Sequence, residues 1–389
     1  MTYAGAVDST WALDPAIVHL NHGSYGGCPT AVLAAAAALR ARLEAAPMRF
    51  LVLEWQGELD RARDALAAFV HAPAEQLVFL PNATTGTAIA LAAAELAAGD
   101  DVLTTDHAYR ACKNQLDRLA AARGARVIVA PIELPYDPDR SAAAIVGAVT
   151  PRTRLALLDH VTSPTALVMP LERVVPALAA RGVQIAIDGA HAPGQLALDV
   201  AALLAQGVTW YAGNNHKWLC APKGTGFLVA TTPVRPLVTS HGASPEYGPP
   251  NRLHAELDWM GTHDPTAHLS VPAAIAEVAR LGGSWPAVIA RNHAVALELR
   301  DRVIAGLGGD ARHRLAPDRS LGSMAAIPIA LPAPPLAVQT QLLRDGWEVP
   351  IVDHARGPLV RVSAHLYNEP AQGDALARKL RALGVTLRG

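Results

Sequence analysis

Between about residue 55 and residue 230 the chain alternates Ala/Leu-rich stretches with short apolar runs. Seven of the runs read as strands: Leu77–Leu80, Asp101–Thr104, Arg126–Val129, Leu155–Asp159, Gln184–Asp188, Trp210–Ala212 and Gly226–Val229. Strands that alternate with helices predict a parallel α/β sheet. Ala31–Ala41, Thr87–Leu96 and Ala90–Ala98 read as helices on propensity. Beyond about residue 235 the texture changes. Pro233, Pro236, Pro245, Pro249 and Pro250 mark an irregular crossing, and Val271–Leu281, with Pro272 in its first turn, reads as a connecting helix. A helix over Trp285–Leu307, a proline-rich patch at Pro332–Pro335 and apolar runs at Met324–Ile329 and Leu359–Ser363 predict a smaller α/β domain.

At 389 residues the chain is long enough for two domains. The expected division is a large domain over 15–260 and a small one over 261–389, with residues 1–14 packing near the latter. Hydrophobic residues make up 51% and charged residues 17%, with a formal net charge of -1, which argues against nucleic-acid binding. The Ala-rich stretches fall short of the roughly 20 uninterrupted apolar residues that span a bilayer, so no membrane partner is expected. The stretch Met1–Asp8 has no basic start and no apolar run, which leaves a cytoplasmic location as the expectation. Cys28, Cys112 and Cys220 are scattered, and no His-Glu-x-x-His pattern occurs, so neither a disulfide framework nor a metal site is expected.

Polar residues collect directly after the apolar runs, and in an open α/β sheet ligands sit beyond the C-terminal ends of the strands. Two of these places carry chemistry together. Asn214-Asn215-His216-Lys217-Trp218-Leu219 sets one lysine in an apolar, turn-rich segment, and Ile187-Asp188-Gly189-Ala190-His191 delivers a carboxylate and an imidazole at a strand end. A desolvated lysine amine is a nucleophile toward aldehydes and forms a Schiff base. Pyridoxal phosphate is such an aldehyde, and its ring is an electron sink when a buried Asp keeps the pyridine nitrogen protonated. Taken singly, Lys217 also reads as a surface lysine and Asp188 as a helix cap; the combination favours the cofactor.

Asn82-Ala83-Thr84-Thr85-Gly86 opens a helix after a strand, which suits a phosphate and equally suits ordinary N-capping. Asp106-His107-Ala108-Tyr109 offers two rings for the face of a cofactor, and spacing alone does not separate them. Arg361 lies between apolar residues on a strand, where its fork fits a substrate carboxylate or a structural ion pair. The glycine-rich Asn21-His22-Gly23-Ser24-Tyr25-Gly26-Gly27 lacks the form of a dinucleotide fingerprint, which removes a nicotinamide enzyme from consideration and leaves an ordered loop near a ligand or a plain turn.

These pieces, with Met48-Arg49-Phe50, Asp188-Gly189-Ala190-His191-Ala192-Pro193-Gly194, His216-Lys217-Trp218-Leu219, Arg361-Val362-Ser363 and Tyr367-Asn368, resemble the class V aminotransferase family of pyridoxal phosphate enzymes, and most of all its isopenicillin N epimerase-like group. The resemblance implies the aspartate aminotransferase-like fold, with a mostly parallel seven-stranded sheet in the large domain. It implies that Lys217 carries pyridoxal 5'-phosphate, Asp188 pairs with the pyridine nitrogen and His191 lies near the phenolic oxygen. Ala83, Thr84, Thr85, Asn214 and His216 would surround the phosphate, and His107 aligns with the residue that stacks on the ring. Arg361 would hold the substrate carboxylate, with Asn21, His22 and Tyr25 as further substrate contacts. The family's homodimer would bring Gly261-Thr262 to the neighbouring site. Cysteine desulfurases of the family use a cysteine on a mobile loop in the C-terminal third, and this chain has none after Cys220. Epimerization or racemization of an amino acid or amino-acid-bearing molecule is therefore the first expectation, with C–S lysis by β-elimination or transamination as alternatives and a non-catalytic binding module as a distant one. The opposite-face proton donor stays open among Tyr25, His22, His107, Tyr109 and water.

Overall fold

The computed structural model describes residues 9–244 and 252–389. The expected crossing prolines Pro245, Pro249 and Pro250, and the stretch Met1–Asp8, lie outside the described residues. Among the described residues thirteen strands occur in chain order: β1 Val18–His19, β2 Leu77–Leu80, β3 Asp101–Thr105, β4 Arg126–Ala130, β5 Thr153–Asp159, β6 Gln184–Gly189, β7 Trp210–Asn214, β8 Gly226–Ala230, β9 Met324–Ala330, β10 Trp347–Glu348, β11 Ile351–Val352, β12 Leu359–Ser363 and β13 Thr386–Leu387.

All seven apolar runs expected as large-domain strands enter one seven-stranded sheet in the order β2-β8-β7-β6-β5-β3-β4. It is parallel apart from β8, which runs antiparallel to both β2 and β7. The central strands β6, β7 and β8 are almost wholly buried, as near-continuous apolar runs require when helices cover both faces. Edge strand β4, with Arg126 and Val129 exposed, is the least covered.

The helix predicted over Thr87–Leu96 spans Ala83–Ala93, beginning a turn early because the Asn82 side chain accepts the Thr85 amide as N-cap. The expectation of helix through Ala98 is therefore corrected. Ala94 turns extended, and the Asp100 carboxylate takes the Ala97 amide in the loop that follows. Ala propensity loses here to a local side-chain hydrogen bond.

In the C-terminal part a four-stranded sheet, β11-β12-β9-β13, packs against the helix Trp285–Gly306. The N-terminal strand β1 pairs with β10, and the Leu20 carbonyl accepts the Ser363 amide, so the residues around 18–20 lie with the C-terminal elements. Trp11 also packs edge-on against His365 and Tyr367. This return of the N-terminal segment lays residues 21–27, whose His22–Tyr25 form one helical turn and not the expected loop, against the C-terminal ends of the large-sheet strands. Among the described residues no helix is long and apolar enough to cross a membrane.

Candidate active site

Beyond the ends of β5, β6 and β7 lies a cavity lined by Asp159, Asp188, His191, Asn214, His216 and Lys217, closed from above by Ser24, Tyr25, Thr84, Tyr109 and Ser163. Lys217 follows β7, and its position is set by backbone packing on two sides. Gly26 has φ +72, and a Cβ there would stand 2.1 Å from the His216 carbonyl oxygen. Gly194, at φ +83, would bring a Cβ to 2.8 Å from the Trp218 backbone. Only glycine gives both the left-handed conformation and this approach.

The Lys217 amine meets His191 Nε2 at 3.1 Å. Burial pulls the amine down from its ordinary value to about 8, with Arg361 acting the same way and Asp188 opposing. Burial and the lysine charge hold His191 well below the usual histidine range, so the imidazole is neutral. Asp188 is buried, with Oδ1 accepting the Ala190 amide at 3.0 Å and Oδ2 accepting Cys112 Sγ at 3.0 Å. Asp159 was not singled out as a site residue. It is the register partner of Asp188 on the next parallel strand and lines the same cavity. Burial and the Asp188 charge push its carboxyl well above the ordinary range, because two adjacent carboxylates resist ionising together. The apolar run that predicts β5 ends on Asp159, but its facing partner requires the strand register.

At the mouth of the Ala83–Ala93 helix, Asn214 Oδ1 takes the Ala83 amide at 2.8 Å and Asn82 takes the Thr85 amide at 2.9 Å. The expectation that the Ala83 and Thr85 backbones face a phosphate is thus corrected, since both amides already have protein partners. Thr84 lines the cavity in the first turn of this helix. His216 donates Nδ1–H to the Thr225 carbonyl at 2.9 Å, which fixes its ring beside Lys217.

The two rings after β3 separate cleanly. Tyr109 lines the cavity and is 42% exposed, whereas His107 is fully buried, with Nδ1 at 2.8 Å from Thr165 Oγ1 and its ring edge-on to His354. The assignment of His107 as catalytic and ring-stacking residue is corrected accordingly. Residues two apart on an extended loop face the same general direction, but the turn after Thr105 breaks that rule, as the His107 amide folds back onto Thr105 Oγ1.

Arg361, on β12, is 3% exposed and reaches Ser24 Oγ at 2.8 Å, Ser163 Oγ at 3.3 Å, the Ser163 carbonyl, and Asn21 Oδ1 at 3.4 Å. Among the described residues no carboxylate pairs with it and its Nε has no partner. Burial lowers it to about 10, so it is cationic at neutral pH. A desolvated guanidinium without an anion is a site for one. Neither Arg361 nor Asn21 is in the cavity lining; Arg361 meets it through the lining residues Ser24 and Ser163, and Asn21 bonds Arg361 from behind.

His22 belongs elsewhere. It donates Nε2–H to the Lys217 carbonyl at 3.0 Å, while Nδ1 accepts the Tyr367 hydroxyl at 2.9 Å and the Gly27 amide at 3.3 Å. Both nitrogens are used, so its assignment as a substrate contact is corrected. Its ring stacks on His365 at 4.1 Å, and Cys220 Sγ lies 3.4 Å from His365 Nε2. These three residues bring ligand-type atoms within 4.8 Å of one another, but His22 spends both of its nitrogens on protein partners. Thr262 lines a different cleft of its own chain, with Trp55, Phe79, Pro81, Met260 and His268.

The donor set fits pyridoxal phosphate on this chain's own terms: an amine near pKa 8, a buried carboxylate, Thr84 lining the cavity at a helix N-terminus, and a buried His191 Nδ1 without a protein partner. Comparison with known proteins agrees. The family model for class V aminotransferases matches residues 28–245. The isopenicillin N epimerase of Amycolatopsis lactamdurans is 35% identical, with 96% of each chain covered. A putative L-cysteine desulfhydrase of Oryza sativa subsp. japonica is 31% identical, covering 94% of this chain and 78% of that one. A solved cystine C-S lyase in complex with cysteine persulfide superposes with a TM-score of 0.79 at 22% identity, over 94% of this chain and 98% of that one, a likeness of fold. The chain belongs to the class V aminotransferase family and is a pyridoxal phosphate-dependent enzyme of isomerase or lyase type.

Proposed function

We propose that the protein epimerizes or racemizes an amino acid, or a small molecule carrying one, at its α-carbon. The observation that carries this reading is the unpaired Arg361 guanidinium beside the cavity that holds Lys217, together with full-length similarity to an isopenicillin N epimerase. Lys217, Asp188, His191, His216 and Thr84 would hold the cofactor, which when bound supplies an electron sink for the substrate's α-carbon.

The chain's residues then divide the work. Arg361, held by Ser24, Ser163 and Asn21, receives the α-carboxylate and fixes the direction of the α C–H bond. The Lys217 amine, once free, takes the α-proton as general base, and an amine near pKa 8 is neutral in a useful fraction at pH 7 to 8. His191 accepts a hydrogen bond from that amine and keeps it aimed. With its carboxyl pushed up beside Asp188, Asp159 resists adding a second negative charge there, which leaves Asp188 available to the pyridine nitrogen.

A homodimer fits the placement of Gly261-Thr262, which lie away from their own Lys217 cavity and are free to serve a neighbour's. Action in the cytoplasm belongs to the same reading. C–S lysis is the second reading, favoured by similarity to the rice desulfhydrase. Cys28, Cys112 and Cys220 are all buried, so a lyase here would release its sulfur without a protein persulfide.

The test is incubation of the holoenzyme in D2O with isopenicillin N and a panel of free L-amino acids, followed by chiral chromatography and by assays for pyruvate and sulfide. The proposal expects the opposite epimer carrying α-deuterium. Pyruvate and sulfide from L-cysteine, with no epimer of any compound, would replace it with the lyase.

A further inference from the structure

Inversion at an α-carbon needs a proton carrier on each face, and Lys217 serves one. The remaining proton-bearing groups of the cavity sort by position. His191 and His216 stand on the lysine's own side, one in contact with its amine and the other its chain neighbour. Asp159 is beside Asp188 at the strand ends. His22 and His107 do not line the cavity. The Ser24 and Ser163 hydroxyls are engaged by Arg361, and Thr84 belongs to the helix end that suits a phosphate. Of the groups that line the cavity, Tyr25 and Tyr109 are left.

The sheet order separates Tyr109 from the lysine. Lys217 follows β7, Asp188 ends β6, and Tyr109 follows β3, with β6 and β5 between. The two side chains therefore enter the cavity from opposite flanks of the carboxylate that would anchor the ring. Tyr109 also lies within the fields of both Asp188 and Arg361, the two anchors between which a substrate α-carbon must sit. Tyr25 lines the mouth and is 72% exposed, against 42% for Tyr109. Burial and the nearby Cys112 and Asp188 hold the Tyr109 phenol above its ordinary range, while Arg361 opposes, so the hydroxyl keeps its proton at neutral pH and a nearby cation steadies the anion it leaves.

We propose that Tyr109 is the second catalytic residue, delivering the phenolic proton to the face of the α-carbon opposite Lys217. This rests on the epimerase reading above. The C–H bond broken by the Lys217 amine leaves its electron pair at the α-carbon side, and that pair forms the new C–H bond with the Tyr109 proton. Lys217 ends as ammonium and Tyr109 as phenolate, with no net oxidation. Exchange with water at the half-exposed tyrosine resets both groups, and the reverse reaction uses Tyr109 phenolate as base.

The test compares the wild-type holoenzyme with Tyr109→Phe, which keeps the ring and removes only the hydroxyl. The probe is whichever compound of the D2O panel the wild type exchanges fastest. Epimer formation is expected to fall about 100-fold or more, as loss of a general acid does, while α-deuterium exchange with retained configuration stays within about threefold. A substrate analogue with a methyl in place of the α-hydrogen, which cannot turn over, should bind the variant within about twofold by visible-absorbance titration. Unchanged epimer formation in Tyr109→Phe overturns the proposal. Parallel loss of exchange, epimer and analogue binding also overturns it, making Tyr109 a positioning residue. A wild type that exchanges protons and yields no epimer removes the epimerase reading itself, a result distinct from either.

Discussion

Two polar clusters meet at Lys217, and they are built on opposite terms. Behind the residue, its carbonyl is held by His22, which is held in turn by Tyr367 and Gly27, with His365 and Cys220 packed against them. In front, the amine faces His191, Asp188 and Asp159, with Arg361 and Thr84 nearby. The rear cluster closes around His22: its two nitrogens each have partners, its tautomer is fixed by them, and burial keeps it neutral. The front cluster is open, with a buried cation lacking an anion and a buried imidazole nitrogen, His191 Nδ1, lacking a partner. Buried polar groups are ordinarily satisfied, so the open cluster is the one that waits for a ligand. Residue type does not tell the two apart, since both hold histidine and each keeps one bare ring nitrogen, His365 Nδ1 behind and His191 Nδ1 in front; the cavity at Lys217 and the Arg361 cation without an anion do.

Changes in front should therefore alter chemistry, and changes behind should alter stability. The largest effect expected is Arg361→Ala, which should raise substrate KM about 100-fold, within the roughly 2–5 kcal/mol range for truncating a buried charge pair. Cofactor affinity, followed by absorbance titration, should stay within about twofold. Equal loss of both would move Arg361 into the closed, structural class.

Next in size is the pH dependence of cofactor attachment. The folded amine is lowered to about 8, so Lys217 is a cation below that pH and a nucleophile above it. The observed rate of reconstitution should fall about tenfold for each pH unit below 7 and level off above about 8.5. The same sign holds for stability: the native state gives up this proton earlier than the unfolded chain, so the Lys217 contribution rises with pH between about 8 and the unfolded value. A rate profile rising only toward pH 10 would show an amine not desolvated by this fold.

The smallest effect is expected behind the lysine. Tyr367→Phe removes one hydroxyl bonded to His22 and should cost about 1–2 kcal/mol of stability in denaturant unfolding. Its kcat should remain within about threefold of wild type. A large kcat loss with unchanged stability would mean that the rear cluster takes part in the chemistry.

The strands were legible because each is a compact apolar run, and Lys217, Asp188 and His191 were legible because they stand at strand ends in a pattern with one chemical use. Arg361 stood out for a different reason, an arginine among apolar residues inside a strand, which left a substrate carboxylate and a structural ion pair both open. What escaped was direction. His107 and Tyr109 sit two residues apart, and only the fold-back onto Thr105 turns the histidine into the core. His22 opens a helical turn whose Ser24 and Tyr25 do line the site, but its ring bonds a tyrosine far along the chain behind the lysine. The facing of Asp159 and Asp188 depends on the register of two parallel strands, and the Ala83 amide is claimed by Asn214 from another strand end. Each of these is a tertiary contact that no local pattern encodes.

The central claim is that Lys217, and no other lysine, is the open cluster's covalent anchor. It is tested most directly by reconstituting the protein with pyridoxal 5'-phosphate, reducing with borohydride and mapping the modified peptide by mass spectrometry. The account predicts a visible absorption band abolished by reduction and a pyridoxyl group on Lys217. A label on Lys113, Lys223 or Lys379, or a band that persists in Lys217→Ala, would contradict it.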